Sequence, residues 1–532
     1  MKWLRAFFFN DSYSVKRATA LLAVAAVASN GLGLLRNLIF YRLLTLEDLD
    51  VYLASFRIPD LVFNILILGA VSSAIIPILG KVLAKDKAEG TWLATNQIIS
   101  WFTVIFSGIA VLLAIAMPWL ISWLTPGFSV DQQSSVILLS RLLLLQSVFF
   151  AWSFTIGCML NTMKRFSSYA LAPLIYNTSL IIGGVIAAKT TITALVWAVV
   201  IGAFLHFYIQ YREARKAGFR MQINLSLSPA VREVFLLMIP RSGALAVSQI
   251  VLTYYTYLGS RMPTGSIAIF SGMNDLQTTP TVIIANSLAA AFFPTLTSHI
   301  TAKDWGEMNA LLQKVVRIAL YLLIPSVLLA LVLRAQVVRL YFGIGGADWD
   351  LTAIAIQTFV AFLIGIIPAS LVAILSRVYY SFNNTRTPLV LSTIAALAGA
   401  GSAWYGVEKL GAGVAMLALG VSITAWVQCI LYFIDLRRQE HVQIGMLQLA
   451  EYLGKYMFGG ALIGLVSWVG LYGVDMFYGA IGWELGTHTV LGLFIQLCIA
   501  ATLGVVSYLG YSRLTSQTEL TWLKRSVFTR GS

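Results

Sequence analysis

Apolar stretches of 18 or more residues recur along almost the whole chain, from residue 18 to residue 511. Wound as a helix at ~1.5 Å per residue, a stretch of that length crosses ~30 Å of hydrocarbon. Within lipid a backbone has to satisfy its own N–H and C=O groups, which leaves helices as the spanning elements for such sequences. The chain is therefore expected to be an all-α polytopic membrane protein. Fourteen spans are predicted, at 18–43, 52–83, 92–124, 132–160, 168–188, 192–213, 230–260, 264–300, 311–334, 350–382, 388–406, 411–436, 448–474 and 487–512. Only 11% of residues are charged, against roughly 25% in soluble domains.

The net charge of +14 would suit nucleic acid if it were gathered on one face, but it is dispersed between spans. With both termini cytoplasmic, 24 of the 36 Lys and Arg fall in inside segments, six in outside loops and six within spans. That asymmetry predicts cytoplasmic termini by the positive-inside rule and an even number of spans. The basic balance thus reports topology and attraction to anionic membrane lipid, and nucleic acid is not expected as a partner.

Residues 1–17 lack a small-residue cleavage site and read as an interfacial, amphipathic start. Cys158, Cys429 and Cys498 lie in separate spans, and His206, His299, His441 and His488 show no ligand spacing, so neither disulfides nor a metal site is expected. There is no GxxxxGK[ST] phosphate loop and no nucleophile–base constellation, so no enzyme activity and no cofactor are predicted.

The chain also repeats itself. VSSAIIPIL (71–79) matches LAAAFFPTL (288–296) at an offset of 217, and Pro173 falls on Pro388 at an offset of 215. Six spans separate the copies, so both have the same orientation. The expected architecture is two parallel six-helix lobes with the substrate site between them. The N-lobe covers 18–218 and the C-lobe 229–438; helices 13 and 14 (447–513) and a cytoplasmic tail (514–532) complete the chain.

Two arginines fall inside the first two spans: Arg36 in GLGLLRN and Arg57 in ASFRIPD. A charge there costs at least ~2.5–3.5 kcal/mol on insertion scales, and a guanidinium fork suits phosphate or carboxylate. Counted from the predicted outer ends of their spans, both sit ~9–12 Å deep, a depth from which an arginine can also snorkel to the surface. Asp60, three residues after Arg57 and on its face, is the carboxylate expected to join them when no anion is bound. Arg241 lies deeper and follows Pro240; with Arg36 and Arg57 it completes the predicted anion-binding set. Asp275 is read as its ion-pair partner or as a coupling carboxylate. Arg141, Gln249, Asn274, Gln277 and Asn286 are candidate cavity residues whose alternative role is hydrogen bonding between helices. Pro59 and Pro240, beside or near arginines, are expected to open backbone carbonyls toward a wet cavity, whereas Pro325 and Pro368 read as ordinary kinks.

Seven stretches, in order, carry a family resemblance: GLGLLRN (31–37), DLDVYLASFRIPDLVFNILILGAVSSAIIPIL (48–79), TPGFS (125–129), NTMKRFSSYALAPLIYN (161–177), IPRSGALAVSQI (239–250), LAAAFFPTL (288–296) and YYSFNNTRTPLVL (379–391). Together they resemble the MurJ/MviN family of lipid II flippases, within the multidrug/oligosaccharidyl-lipid/polysaccharide exporter superfamily. The resemblance implies a fourteen-helix fold and alternating access in the bacterial cytoplasmic membrane. The implied cargo is an undecaprenyl-diphosphate-linked peptidoglycan precursor, moved from the inner to the outer leaflet for cell-wall synthesis. Arg36 and Arg57 match the family's basic positions and Asp50 the acidic residue that opens its second helix. Departures occur at Asn30, Asn37, Phe63, Leu68 and Asp275, where the family carries other charges. The driving force is left between membrane potential and a coupling cation near Asp60 or Asp275. Export of another lipid-linked oligosaccharide or amphiphile, and a non-transporting scaffold among cell-wall synthesis proteins, are the rival readings.

Overall fold

The computed structural model describes residues 15–65, 74–342, 349–443, 446–480, 482 and 489–522, with side chains at all of these except 15–20, 23, 239–245 and 446–450. Among the described residues every regular element is a helix and there are no strands. The first compact unit, Met1–Ala268, contains α1 (Val15–Leu43), α2 (Leu46–Phe63), α3 (Ile76–Leu124), α4 (Val130–Thr162), α5 (Ser167–Ala187), α6 (Ile192–Lys216) and α7 (Pro229–Ser260). The second, Ile269–Ser532, holds most of α8 (Ser266–Pro280), then a π-helical turn (Thr281–Asn286), α9 (Ser287–Thr301), α10 (Trp305–Val332) and the short α11 (Arg334–Phe342). It continues with α12 (Trp349–Ser381), α13 (Arg386–Glu408), α14 (Ala415–Arg437), α15 (Met446–Ala480) and α16 (Val490–Leu514).

Twelve of these helical stretches are long and apolar enough to cross a membrane. Helices α2 and α7 stand where the second and seventh spans are expected. The predicted ends agree to within a few residues except at the start of the ninth span (Trp305 against 311), at the end of the thirteenth (Ala480 against 474) and in the second span. There the helix begins at Leu46, six residues earlier than expected, because the Thr45 hydroxyl accepts the Asp48 amide and caps it. Helix α3 is two helices joined at Lys87, whose φ of 56° lies in the left-handed region.

The backbone carries traces of duplication. The left-handed residues Lys87 and Lys303 lie 216 apart, and Lys164 and Asn383 lie 219 apart. The π-helical turn at Thr281 falls 217 residues after Asn64, which opens a π turn of its own. In the first unit α6 packs on α4 and α5, and in the second α14 packs on α12 and α13. Small residues permit the close approaches: a Cβ on Gly183 would stand 2.2 Å from that of Ala198.

Four interior prolines are handled by one device. A proline leaves the carbonyl four residues earlier without its helical N–H, and four such carbonyls are taken by side chains of neighbouring helices. Pro59 frees Ser55 O, which the Ser140 hydroxyl reaches at 2.9 Å. Pro118 frees Ala114 O, which accepts Arg141 Nε at 2.9 Å. Pro325 frees Tyr321 O for Tyr508 Oη at 2.8 Å, and Pro368 frees Ile364 O for Trp426 Nε1 at 3.0 Å. The expectation for Pro59 is thereby corrected. Ser55 and Ser140 are both fully buried, so the freed carbonyl is closed by a neighbour and does not face a wet cavity.

Candidate functional site

The two span arginines lie in the first unit, on α1 and α2. Arg36 stands seven residues before the end of α1 at Leu43, and Arg57 eleven residues after the start of α2 at Leu46. At ~1.5 Å per residue these are ~10 Å and ~16 Å of helix, so Arg57 is about one turn deeper than its partner. The equal depth expected from sequence assumed the later helix start.

Arg36 is held by amides. Its Nε and Nη2 donate to Asn37 Oδ1 at 3.0 and 2.8 Å, and its Nη1 donates to Asn177 Oδ1 at 3.2 Å. Asn177 sits on α5 with its orientation fixed from the other end. Its Nδ2 donates to Pro173 O at 3.1 Å and Ser29 Oγ at 3.3 Å, which leaves Oδ1 to face the guanidinium. A guanidinium carries five N–H donors; three are used here, leaving two in a planar fork. Both acceptors are neutral, so the positive charge is oriented without being cancelled.

Tyr52 of α2 packs edge-on against Phe40 of α1 with ring centroids 5.8 Å apart, which sets the helix carrying Arg57 and Asp60 beside the one carrying Arg36. Tyr176 neighbours Asn177 on α5 and reaches Gln146 Oε1 on α4 at 3.4 Å. The arrangement therefore brings together Arg36, Arg57 and Asp60 from the predicted set. It adds Asn177, Tyr52 and Tyr176, which the sequence reading left without roles. A signal for Asn177 was present: it is a polar residue four positions after Pro173 in an apolar span, where a side-chain amide can serve a backbone carbonyl.

The other candidates are placed elsewhere. Asp50, buried on α2, accepts the Gly265 amide at 2.6 Å and the Ala268 amide at 2.7 Å. It thereby serves as an acceptor for the orphan amides at the start of α8. Arg141 is exposed and engaged with the Ala114 carbonyl. Phe63, at a position charged in the resembled family, packs against Phe150 and Phe154 with ring centroids at 5.4 and 5.8 Å. Gln249 is half-buried on α7, and its backbone carbonyl accepts the Thr253 hydroxyl. Asn274 Oδ1 accepts from Gln277 Nε2 at 3.2 Å, and the exposed Asp275 receives the hydroxyls of Thr278 and Thr279 on its backbone carbonyl. The side chain of Arg241 and the residue Leu68 lie outside the described residues.

Comparison with known proteins gives these features a context. The family described as lipid II flippase MurJ matches residues 45–483. A Burkholderia cenocepacia protein named lipid II flippase MurJ is 25% identical over 434 residues, covering 79% of this chain and 83% of the relative. A probable lipid II flippase MurJ of Vibrio cholerae is 24% identical over 520 residues, covering 92% and 95%. Among solved structures, a lipid II flippase MurJ in an inward closed conformation superposes with a TM-score of 0.76 at 20% identity, over 94% of this chain and 99% of that one. An inward-facing multidrug resistance MATE family transporter of the MOP superfamily gives 0.64 at 13% identity, over 84% and 97%. These two likenesses speak to the fold.

Proposed function

The chain belongs to the lipid II flippase MurJ family, and on that footing we propose that Arg36 and Arg57 hold the diphosphate of lipid II as the chain moves it across the bilayer. The observation that carries the reading is the state of Arg36. Among the described residues its hydrogen bonds go to Asn37 and Asn177 and to no carboxylate, so a full positive charge is oriented but left for an anion. Burying such a charge without a ligand is costly, and the two remaining N–H groups match the oxygens of one phosphate. Arg57 carries Asp60 on its own face. A diphosphate arriving at Arg57 competes with that carboxylate, so capture and release exchange one anion for another.

Two parallel lobes with both termini in the cytoplasm of a bacterial inner membrane are the architecture we propose for this transport. The recurring left-handed turns and the 24-to-6 distribution of inside to outside cations support it. Arg241 is proposed as a further phosphate ligand, and Asp275 as its counter-ion or a coupling carboxylate.

The test is transport of labelled lipid II in proteoliposomes, with Arg36→Ala and Arg57→Ala compared with the native chain. Both variants should lose most of the translocation while folding normally. Undiminished transport in both would remove the clamp. A native chain that leaves lipid II in place but moves another lipid-linked oligosaccharide would overturn the cargo and leave the clamp standing.

A further inference from the structure

The twelve residues between α6 and α7 do not form an ordinary surface loop. Gly218 turns the chain at φ +96°, where a Cβ would strike the Trp92 ring at 2.6 Å, and Phe219 plugs fully into the core. The chain then runs extended along α3. Asn96 makes with it the pair of bonds a neighbouring strand would make: its Nδ2 donates to Arg220 O at 2.9 Å and its Oδ1 accepts the Gln222 amide at 3.0 Å. The Asn224 amide donates to Ser100 Oγ at 2.9 Å, and Gln97 Nε2 donates to Ser226 Oγ at 2.6 Å. A polar stripe on a membrane helix thus straps the segment down.

The strap leaves a row of apolar side chains in the open, which water does not favour. Polar Gln222, Asn224 and Ser226 alternate with Ile223, Leu225 and Leu227; the apolar three are 91%, 48% and 56% exposed, and of the polar three Asn224 is half-buried while Gln222 and Ser226 are exposed. Alternation at period two directs successive side chains to opposite faces, so the apolar row is presented outward.

Depth identifies what covers it. Trp152 Nε1 donates to Thr103 Oγ1, which sets Thr103 level with a residue ten positions before the inner end of α4 at Thr162. Asn96 and Ser100 are seven and three residues nearer the inside, so the strap beside them lies ~4–10 Å on the membrane side of that helix end. Helix α4, 33 residues and ~50 Å long, exceeds ~30 Å of hydrocarbon by ~20 Å; centred on it, the helix places its last ~10 Å at the headgroup and acyl boundary, where interfacial segments rest. Exposed Arg212, Arg215, Lys216, Arg220 and Arg232 flank it, whereas the nearby acids Glu213 and Glu233 are paired with Arg165 and Lys81.

We propose that residues 219–228 are a membrane-seated strap: Ile223, Leu225 and Leu227 enter the acyl boundary, and the flanking arginines and lysine bind anionic phospholipid headgroups. Each basic residue near such a surface adds attraction to anionic lipid, so the strap ties the inner end of the first unit to acidic lipid. The proposal does not depend on the diphosphate reading.

The experiment places single nitroxide labels at positions 223, 225 and 227, and at exposed Lys85 for reference, in the full chain with Cys158, Cys429 and Cys498 replaced by alanine. The protein is reconstituted in vesicles of phosphatidylglycerol and phosphatidylcholine. Labels on the strap should collide more with oxygen than with a water-soluble nickel chelate, and the label at 85 should do the opposite. Labels on the strap as open to nickel as that at 85 would place it in water and overturn the proposal; labels shielded from both reagents would mean a protein cover and overturn it equally. A second measurement leaves the strap unlabelled. Phosphatidylglycerol added to micelles should raise the Tm of the native chain more than that of the Arg215→Gln, Lys216→Gln, Arg220→Gln variant; an equal rise in both would refute the headgroup contacts.

Discussion

The closed carbonyl below Pro59 can be tested by a double-mutant cycle. Ser140→Ala deletes the hydroxyl that meets Ser55 O at 2.9 Å, and both serines have no exposed surface. With Pro59 in place, no backbone N–H can replace the lost donor, so a buried acceptor is left unpaired. Such a group costs ~1–3 kcal/mol in proteins generally, whereas interhelical hydrogen bonds measured within membranes average ~0.6 and reach ~1.7 kcal/mol. Complete burial and the missing helical donor place this case near the upper membrane value, about 1–1.5 kcal/mol. In a Pro59→Ala background the residue-59 amide is restored to Ser55 O, and Ser140→Ala should then cost no more than ~0.5 kcal/mol, the usual limit of additivity. Reversible unfolding of the four proteins in mixed micelles, followed by tryptophan fluorescence, measures the difference. If Ser140→Ala is neutral even with Pro59 present, water replaces the hydroxyl, and Pro59 opens onto a wet cavity after all.

Further outcomes follow from the same geometry. Tyr508→Phe keeps its ring contact with Tyr321 but uncovers the carbonyl freed by Pro325, and should destabilise by about 1 kcal/mol in the same unfolding assay. Asn177→Ala removes one of three bonds orienting Arg36 and should raise the half-saturating lipid II concentration about five- to tenfold, near 1–1.5 kcal/mol, with little change in Tm. Asp50→Ala strips two amide partners and should cost about 2–4 kcal/mol, with Asp50→Asn near half of that; Tm values in that order check it. Outside the spans, burial pushes the Glu519 carboxyl up, but hydrogen bonds from its own amide and from Arg317 outweigh this and hold it below the ordinary 4.5. A depressed carboxylate contributes stability above its unfolded value and loses it as pH falls through the folded one. The Tm advantage of the native chain over Glu519→Gln should therefore be constant from neutral pH down to about 5 and close below about 4.5.

How legible the site was depended on the kind of information each residue carries. Arg36, Arg57 and Asp60 stood out because a charge in a span is expensive wherever the helix turns. Asn177 did not, because an asparagine in a span serves equally as interhelical glue, and only its distance to a guanidinium on another helix distinguishes the two. Asp50 was found through the resemblance, yet its contacts are to backbone amides at 265 and 268, and no side-chain pattern announces a backbone partner. Arg141 stood between a cavity role and hydrogen bonding between helices, and its bond to Ala114 O is of the second kind; the sequence could not choose, because the carbonyl is freed by a proline on a different helix.

The sequence by itself determined the class of structure and the position of most of its long apolar helices. Each of these follows from the length and charge of contiguous segments meeting a slab of hydrocarbon, and requires no knowledge of which helices touch. Tertiary structure decided the rest: that Asn37 and Asn177 hold Arg36 without neutralising it, that Ser140, Arg141, Trp426 and Tyr508 close the carbonyls that prolines open, and that residues 219–228 turn their apolar side outward. These are pairings between groups up to 187 residues apart. Hydrogen bonding depends on distance and direction in space, which the packing of the helices sets.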